Sequence, residues 1–148
     1  MGTILVVDDE QAVTDLLAYN LRKAHYEVLI ASNGQQAFLL AQQIHPDVIV
    51  MDITLPDISG IEVTRKIKQN HPEIAIVALT IHDDEEYFFE MLHAGASGYV
   101  PKRAAPEDLI TAIRAASKDE VYIFPSLAKM LVKDFLGQSP LENELNPL

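Results

Sequence analysis

The sequence contains no cysteine and few basic residues: 11 Lys and Arg stand against 22 Asp and Glu in 148 residues. Without cysteine the chain cannot form disulfides or thiolate metal sites, and its composition fits a reducing compartment. The net charge of −11 repels the phosphate backbone of nucleic acids, so the chain by itself is predicted to bind DNA poorly. The acids are dispersed along the chain, which is typical of a solvated acidic surface.

Long apolar runs are also missing. No apolar stretch comes near the roughly 20 residues that a membrane-spanning helix needs. Met1-Gly2-Thr3 leads into the apolar run 4–7 without a signal peptide, so a cytoplasmic protein with no membrane partner is expected. The length fits one domain, because a globular chain of this size buries roughly 70% of its unfolded surface and needs no cross-links.

What the sequence does contain is a series of five short apolar runs that alternate with amphipathic segments. The runs are rich in Val and Ile and do not alternate with polar residues, as in strands that are covered on both faces. They comprise residues 3–7, 27–31, 47–51, 74–79 and 98–100. The segments between them carry apolar residues at helical spacing. This order predicts an α/β fold with a doubly wound, five-stranded parallel sheet, since an eight-stranded barrel needs far more chain.

Turn residues mark the ends of the predicted helices. Asn33-Gly34 is expected to open the second helix, and His45-Pro46 and His71-Pro72 are expected to end the second and third. After residue 118 the pattern changes, which predicts a domain over 1–118 and a linker region over 119–148. Within the linker region, 121–125 is interpreted as an apolar connector, 126–136 as a sixth helix, and the proline-containing 138–148 as a linker tail.

Polar side chains follow all five predicted strands; Ser32 and Asn33 after the second are less distinctive, and the other four strands supply acids, a hydroxyl and an amine. The side chains from those four strands form a set, here named the strand-end cluster: Asp8, Asp9, Asp52, Thr80 and Lys102. Because ligands in open parallel sheets bind beyond the carboxyl ends of the strands, these side chains are expected to meet at one site. Each alone has an ordinary explanation: a helix cap for the first two, a turn for the third, and a strand or surface residue for the others. Their convergence favours a functional site.

The carboxylates of the strand-end cluster constrain its chemistry. Two carboxylates about 4 Å apart repel by about 4 kcal/mol at an effective dielectric of 20, so three of them require a cation. With oxygen ligands only and no suitably placed histidine, the expected ion is Mg²⁺. A carboxylate beside Mg²⁺ and a lysine can attack phosphorus and form an acyl phosphate. Lys102, Thr80 and the metal would then offset charge on the transferring oxygens.

Four stretches resemble, in order and spacing, the receiver domain of two-component response regulators: VVDDE at 6–10, MDITLPDISG at 51–60, ALT at 78–80 and GASGYVPK at 95–102. The resemblance covers about residues 3–117. The stretches HDDEEYFFEMLHAGASGYVPK and VYIFPSLAKML are similar to the NarL/FixJ (LuxR-type) branch of transcriptional regulators. The resemblance implies a flavodoxin-like (CheY-like) fold with strand order 2-1-3-4-5.

The same resemblance implies a phosphoacceptor in phosphorelay signal transduction and not an enzyme for outside substrates. A sensor histidine kinase would phosphorylate Asp52 with the help of Mg²⁺, and the domain would catalyse only its own phosphorylation and dephosphorylation. In this branch a helix-turn-helix DNA-binding domain usually follows. Transcription control through such a domain beyond Leu148 is therefore expected, as is a homodimer that depends on phosphorylation.

Residue roles in phosphoryl transfer are also implied by the resemblance. Asp52 matches the phosphoacceptor, Lys102 the phosphate-pairing lysine, Thr80 the hydroxyl that turns toward the phosphoryl group, and Tyr99 the switch aromatic. On phosphorylation, Thr80 is hypothesised to vacate a space that Tyr99 fills from outside. The consequence would be a remodelled surface around the fourth helix, the fifth strand and the fifth helix.

A metal ion is implied among the acids. The resemblance assigns its ligation to the carboxylates of Asp8, Asp9 and Asp52, with Asp9 as the direct ligand of the acidic pair, and to the main-chain carbonyl of Thr54. Thr54 and His82 flank the phosphoacceptor site at positions that vary within the family. They are expected to tune the lifetime of the phosphate.

Alternative functions fit less well. A haloacid-dehalogenase-like phosphatase also uses a strand-end Asp, a hydroxyl, a Lys and an acidic pair, but it places a second Asp where this chain has Thr54. Its acidic pair also comes last in the chain, not first. A flavodoxin-like cofactor binder needs a phosphate cradle, whereas VDDEQAV at 7–13 offers acids that repel phosphate. A receiver-like interaction module that is never phosphorylated stays open.

Overall fold

The computed structural model describes residues 2–81 and 85–137. His82 and the predicted linker tail 138–148 lie outside the described residues. Within them the structure has six strands: β1 Thr3–Val7, β2 Glu27–Ala31, β3 Val48–Asp52, β4 Ala75–Thr80, β5 Gly98–Pro101 and β6 Tyr122–Ile123. It has six helices: α1 Gln11–Lys23, α2 Gly34–Ile44, α3 Gly60–Asn70, α4 Glu85–Ala94, α5 Pro106–Ser117 and α6 Pro125–Gly137.

The strands of the described chain are parallel and form one sheet in the order β2-β1-β3-β4-β5-β6. The five predicted strands and their order 2-1-3-4-5 are confirmed. Three of them, β3, β4 and β5, end one residue later than predicted, because Asp52 pairs with Leu79 and Thr80 pairs with Pro101. Asp52 and Thr80 are therefore held by the sheet itself.

The prediction of a five-stranded sheet is wrong by one strand. β6 comes from residues 121–125, which the sequence predicted to be a connector. The Tyr122 N–H donates to the carbonyl oxygen of Ser97 at 2.9 Å, and the Phe124 N–H donates to that of Tyr99 at 3.2 Å. A strand of two residues is too short to show a period in the sequence, and only its pairing with β5 makes it a strand.

Each face of the sheet has its own apolar core. Leu5 and Val7 belong to one core and Ile4 and Val6 to the other, because successive strand residues point to opposite faces. Helices α2, α3, α4 and α6 contribute to the first core, and α1 and α5 to the second. The sheet is therefore doubly wound, as predicted, and its strand ends emerge between two layers of helices.

Two helices end at histidines, as predicted from the prolines that follow. His45 caps the end of α2 with a left-handed φ of 52° and donates its N–H to the Ala41 carbonyl oxygen at 3.1 Å. His71 caps the end of α3 and donates its N–H to the Ile67 carbonyl oxygen at 2.6 Å. Because β3 and β4 begin just after these caps, both histidines lie at the amino end of the sheet.

The last helix, α6, begins one residue before its predicted start and includes Gly137. Its Leu127 is 2% exposed and shares a core with Tyr99 of β5, whereas Phe135 is 68% exposed. The boundary at residue 118 stays a prediction. Among the described helices, none combines the length and the apolar character that crossing a membrane requires.

Candidate functional site

The strand ends bring most of the strand-end cluster to one edge of the sheet. β1 and β3 are neighbours with Val7 paired to Met51, so Asp8, which directly follows β1, lies level with Asp52 at the end of β3. Thr80 is the last residue of β4, and its carbonyl oxygen accepts from the Lys102 N–H at 2.7 Å. Asp9 follows Asp8 but is exposed to solvent.

Lys102 bridges the acids of the cluster. Its Nζ lies 2.8 Å from Oδ2 of Asp8, 3.4 Å from Oδ2 of Asp52 and 3.3 Å from Oε1 of Glu10. The Asp8 side chain is fully buried, and that of Asp52 is nearly so. Two carboxylates buried so closely repel each other, and the ammonium between them offsets that repulsion.

The pKa values of Asp52 and Lys102 reflect this arrangement. Burial and the charge of Asp8 raise the pKa of Asp52 from 3.8 to about 6, against the lowering effect of Lys102. Burial lowers the pKa of Lys102, but its contact with Asp8 and the charges of Asp52 and Asp8 outweigh burial, so the pKa lies above 10.5. The site therefore combines a permanent cation with a carboxylate that is more basic than usual, and perturbed pairs of this kind are common at functional sites.

The loop that follows β3 is held against Asp52 by Gly60. The Gly60 N–H donates to the Ile53 carbonyl oxygen at 2.7 Å, and a Cβ at Gly60 would clash with the main-chain oxygen of Asp52. The exposed Thr54 lies beside the phosphoacceptor candidate, with its N–H 3.4 Å from Oδ1 of Asp52. Gly60 therefore positions the Asp52 backbone. Sequence reasoning noted this glycine only as part of a motif.

Asp57, near the tip of that loop, has a role that the sequence did not reveal. Its Oδ1 accepts from the Gly34 N–H at 2.8 Å, and its Oδ2 accepts from the Gln35 N–H at 2.9 Å. These amides begin α2 and have no partner within the helix. The hydrogen bonds lower the pKa of Asp57 from 3.8 to about 2. Its partners stand 23 and 22 positions away, so no local pattern could indicate them.

The first loop offers a compact set of carboxylates. Oxygen atoms of Asp8, Asp9 and Glu10 lie within 4.8 Å of one another, and the Glu10 N–H donates to Oδ1 of Asp8 at 2.9 Å. Glu10 was not among the predicted site residues, although it is the third acid of DDE. The Lys102 ammonium contacts both Asp8 of this set and Asp52, so the Asp52 carboxylate lies next to the set. Oxygen donors, two of them exposed, together with the Asp8–Asp52 repulsion fit a hard divalent cation.

The two predicted switch residues are both buried. Thr80 is 1% exposed and Tyr99 is 0% exposed. The Tyr99 ring meets the Phe88 ring edge to face, with centroids 5.0 Å apart and an interplanar angle of 87°. The Tyr99 ring therefore lies in the core in this structure, and the hypothesis that it fills a space vacated by Thr80 on phosphorylation stays a prediction. The role of Tyr99 as the switch aromatic also stays a prediction.

Comparison with protein families matches residues 4–114 to the response regulator receiver domain. The chain is 35% identical over 137 residues to the transcriptional regulatory protein DegU of Brevibacillus brevis. It is 36% identical over 139 residues to the oxygen regulatory protein NreC of Staphylococcus epidermidis. These matches cover 89% and 91% of this chain but only 57% and 64% of the relatives. The chain thus spans about three fifths of their length.

Solved structures give the same result for the fold. A two-component response regulator of the LuxR family from Aurantimonas sp. superposes with a TM-score of 0.86 at 32% identity, over 92% of this chain and 99% of that one. The chemotaxis protein CheY4 of Vibrio cholerae superposes with a TM-score of 0.74 at 29% identity, over 78% of this chain and 98% of that one.

Proposed function

Because the chain belongs to the response regulator receiver domain family, we propose that it is a phosphorylation-dependent switch of the NarL/LuxR type whose phosphoacceptor is Asp52. The observation that carries the proposal is the setting of the Asp52 carboxylate. It stands at the end of buried β3, level with Asp8 and 3.4 Å from the Lys102 ammonium. A lone turn residue would need neither the buried partner acid nor the cation.

The proposed reaction is transfer of a phosphoryl group from a phosphohistidine of a sensor histidine kinase. A carboxylate oxygen of Asp52 attacks phosphorus, the P–N bond breaks, and an acyl phosphate forms on Asp52. With a pKa of about 6, Asp52 is about nine-tenths ionised at pH 7, so the nucleophile is available. The Lys102 ammonium lies beside this carboxylate and offsets the charge of the transferred oxygens. Water later replaces the carboxylate as nucleophile and releases phosphate.

A magnesium ion is part of the proposal. The carboxylates of Asp8, Asp9 and Asp52 and the main-chain carbonyl of Thr54 would hold it. When bound, the ion offsets the negative charge of the carboxylates and of the phosphoryl oxygens. The oxygen-only donor set of the first loop and the raised pKa of Asp52 support this assignment.

Thr80 and Tyr99 are proposed to transmit the phosphorylation state. The Thr80 hydroxyl turns toward the phosphoryl group, and the Tyr99 ring adjusts its packing against Phe88, which alters the surface of α4, β5 and α5. A change from 1:99 to 99:1 in favour of the active form requires about 5.5 kcal/mol of differential stabilisation. Charge-assisted hydrogen bonds from Lys102 and Thr80 to the phosphoryl group can supply much of it.

The output belongs to a longer protein. The relatives extend well beyond the matched region, and one of them is named as a transcriptional regulatory protein. We therefore propose transcription control through a helix-turn-helix DNA-binding domain that follows the linker, with a homodimer that depends on phosphorylation. The chain itself carries a net charge of −11, so contact with DNA is assigned to that further domain alone.

The test is the intact mass of the protein after incubation with phosphoramidate, with and without Mg²⁺. Wild type is expected to gain one phosphate only with Mg²⁺, and base should remove it, as it does an acyl phosphate. Asp52→Asn should gain none. Asp57→Asn is the matched control, because it removes an exposed carboxylate of the adjacent loop and should gain phosphate like wild type.

Two results would contradict the proposal. Folded wild type that gains no phosphate would leave an interaction module with a receiver fold. A gain that persists in Asp52→Asn would place the phosphoacceptor elsewhere. Far-UV circular dichroism of each variant confirms that it is folded before either result is interpreted.

A further inference from the structure

A second group of ligating side chains lies at the opposite end of the sheet from Asp52. His45 ends α2, His71 ends α3, and Glu73 lies in the loop that leads to β4. One nitrogen of each ring and one carboxylate oxygen lie within 4.8 Å of one another. The function proposed above makes no use of these three residues.

The distances suit ligands of one ion better than hydrogen bonds. Oε1 of Glu73 lies 3.7 Å from Nδ1 of His71 and 4.0 Å from Nδ1 of His45. Hydrogen bonds between nitrogen and oxygen span about 2.7–3.2 Å. Ligand atoms on tetrahedral Zn²⁺ lie about 3.3 Å apart, given metal–ligand bonds of about 2.0 Å. The Glu73 oxygen therefore needs to approach each ring nitrogen by only roughly half an ångström.

The backbone at both histidines is restricted. His45 has a left-handed φ of 52°, and both histidines are followed by proline, which restricts the turns. The two rings meet edge to face, with centroids 5.0 Å apart at 83°. The carboxyl ends of α2 and α3 also meet here, and their partial negative charge favours a cation. Glu73, with 64% of its side chain exposed, can rotate to complete the site.

An ion pair between protonated histidines and Glu73 is the simpler explanation. Oε1 of Glu73 lies 3.7 Å from Nδ1 of His71 and 4.0 Å from Nδ1 of His45, and neither distance is that of a hydrogen bond. A close ion pair would bring the carboxylate into hydrogen-bond contact with at least one ring, whereas here the oxygen stands apart from both ring nitrogens.

We propose that His45, His71 and Glu73 form a binding site for a divalent transition-metal ion, in the first instance Zn²⁺, with the fourth position open to water. His45 and Glu73 line a cavity of about 820 Å³, which gives the ion access. Imidazole ligands favour Zn²⁺ over Mg²⁺, so this site differs in selectivity from the acids beside Asp52. Lys68 lines the same cavity, but two main-chain carbonyl oxygens accept from its Nζ at 2.7 and 2.9 Å.

Metal binding would join the end of α2 to the end of α3. Because the unfolded chain holds His45 far from His71 and Glu73 on average, an ion bound to the folded form raises the melting temperature in proportion to the logarithm of its concentration. The expected behaviour is a rise in Tm with Zn²⁺ and a smaller rise in any variant that lacks one ligand.

Isothermal titration calorimetry with Zn²⁺ tests the site, using a chain without an added histidine tag and an excess of Mg²⁺ to occupy the acids beside Asp52. Wild type is expected to bind one Zn²⁺ per chain. His45→Asn, His71→Asn and Glu73→Gln should each bind at least about tenfold more weakly. His25→Asn is the matched control, because His25 is exposed and has a left-handed φ of 74° but lies outside the group.

Substitution of Co²⁺ for Zn²⁺ gives a second readout. Intense visible absorption bands are expected from a tetrahedral site with imidazole ligands, and they should be lost in His45→Asn and His71→Asn. Weak bands typical of an octahedral oxygen site would overturn the proposal, as would unchanged affinity in these variants or a loss of Zn²⁺ binding in Asp9→Asn. Phosphate uptake at Asp52 should be normal in Glu73→Gln, so the two proposals fail independently.

Discussion

Asp52 and Asp57 belong to one strand–loop segment, yet their carboxylates lie in opposite electrostatic conditions. Asp52 ends β3 beside Asp8, and burial together with that neighbour raises its pKa to about 6. Asp57 lies exposed near the tip of the following loop, where the amides that begin α2 lower its pKa to about 2. The same residue type is therefore more basic than usual at one place and more acidic than usual at the other.

The place of each carboxylate on the backbone therefore sets the direction of its pKa shift. A strand end places Asp52 in a crowded interior, where its charge is costly and the Lys102 ammonium offsets part of that cost. A loop tip presents Asp57 to unpaired amides, where its charge is stabilising. After Asp57 the loop returns to the Asp52 main chain at Gly60, where a side chain with a Cβ would clash with the Asp52 main-chain oxygen.

Replacing Lys102, the cation beside Asp52, should have the largest effect, and that effect is on the rate of phosphate uptake. We expect Lys102→Met to slow phosphate uptake from phosphoramidate by about 100-fold or more, because the transferred oxygens lose their charged partner. The initial rate of the mass gain measures this. Lys66→Met is the control, since Lys66 is an exposed lysine of α3 that lines the same cleft as Asp57. Equal rates in the two variants would show that Lys102 has only a structural role.

A substitution at Gly60 that displaces the loop after β3 should have the next largest effect, a loss of stability. Gly60→Ala introduces a Cβ that clashes with the Asp52 main-chain oxygen, so we expect the free energy of unfolding to fall by about 2 kcal/mol. Urea unfolding measures the change. Gly137→Ala is the matched control, because nothing lies within 4 Å of a Cβ there, and it should be neutral or slightly stabilising. A tolerated Gly60→Ala would mean that the loop can shift without cost.

Neutralising Asp52 should stabilise the protein. Its folded-state pKa is raised from 3.8 to about 6, so the ionised carboxylate opposes folding above about pH 6 and has no such effect below about pH 4. In Mg²⁺-free buffer, Asp52→Asn should raise the free energy of unfolding by about 1–2 kcal/mol near neutral pH. The gain should shrink as the pH falls from about 6 to 4. A gain that does not change with pH would contradict the electrostatic origin.

Neutralising Asp57 should destabilise the protein, opposite to the effect at Asp52, and this change in stability should be the smallest of the four effects. Its folded-state pKa is lowered to about 2, so its contribution to stability is present above about pH 4 and is lost as the pH falls toward 2. Asp57→Asn should therefore melt slightly below wild type at neutral pH, and the two melting curves should converge between about pH 4 and pH 2. A difference in Tm that persists at pH 2 would assign the effect to packing instead.

The sequence predicted the sheet well because its strands are buried on both faces and leave uninterrupted apolar runs. β6 was not predicted, because Tyr122 and Ile123 form a strand only through their pairing with Gly98 and Tyr99. That pairing is tertiary, and two residues carry no period of their own. The extra strand-end residues of β3 and β4 have the same origin, since the ladder continues through Asp52 and Thr80.

The sequence predicted those residues of the candidate site that follow the ends of neighbouring parallel strands. Asp8, Asp52 and Lys102 are far apart in sequence, and the fold rule alone places them at one edge. The hydrogen bonds of Asp57 to α2 were not predictable, because they join a loop tip to a helix start through tertiary structure. The sequence indicates only that His45 and His71 end helices, because no sequence pattern shows that the ends of two helices are in contact.

The short strand β6 also bears on solubility. β5 would be an edge strand without it, and an uncovered edge offers its N–H and C=O groups to any other extended chain. The connector between α5 and α6 fills that place, with Tyr122 and Phe124 N–H groups bonded to Ser97 and Tyr99. A protein shortened at residue 118 would therefore expose a template for edge-to-edge association, and its aggregation would increase although every residue of the strand-end cluster was retained.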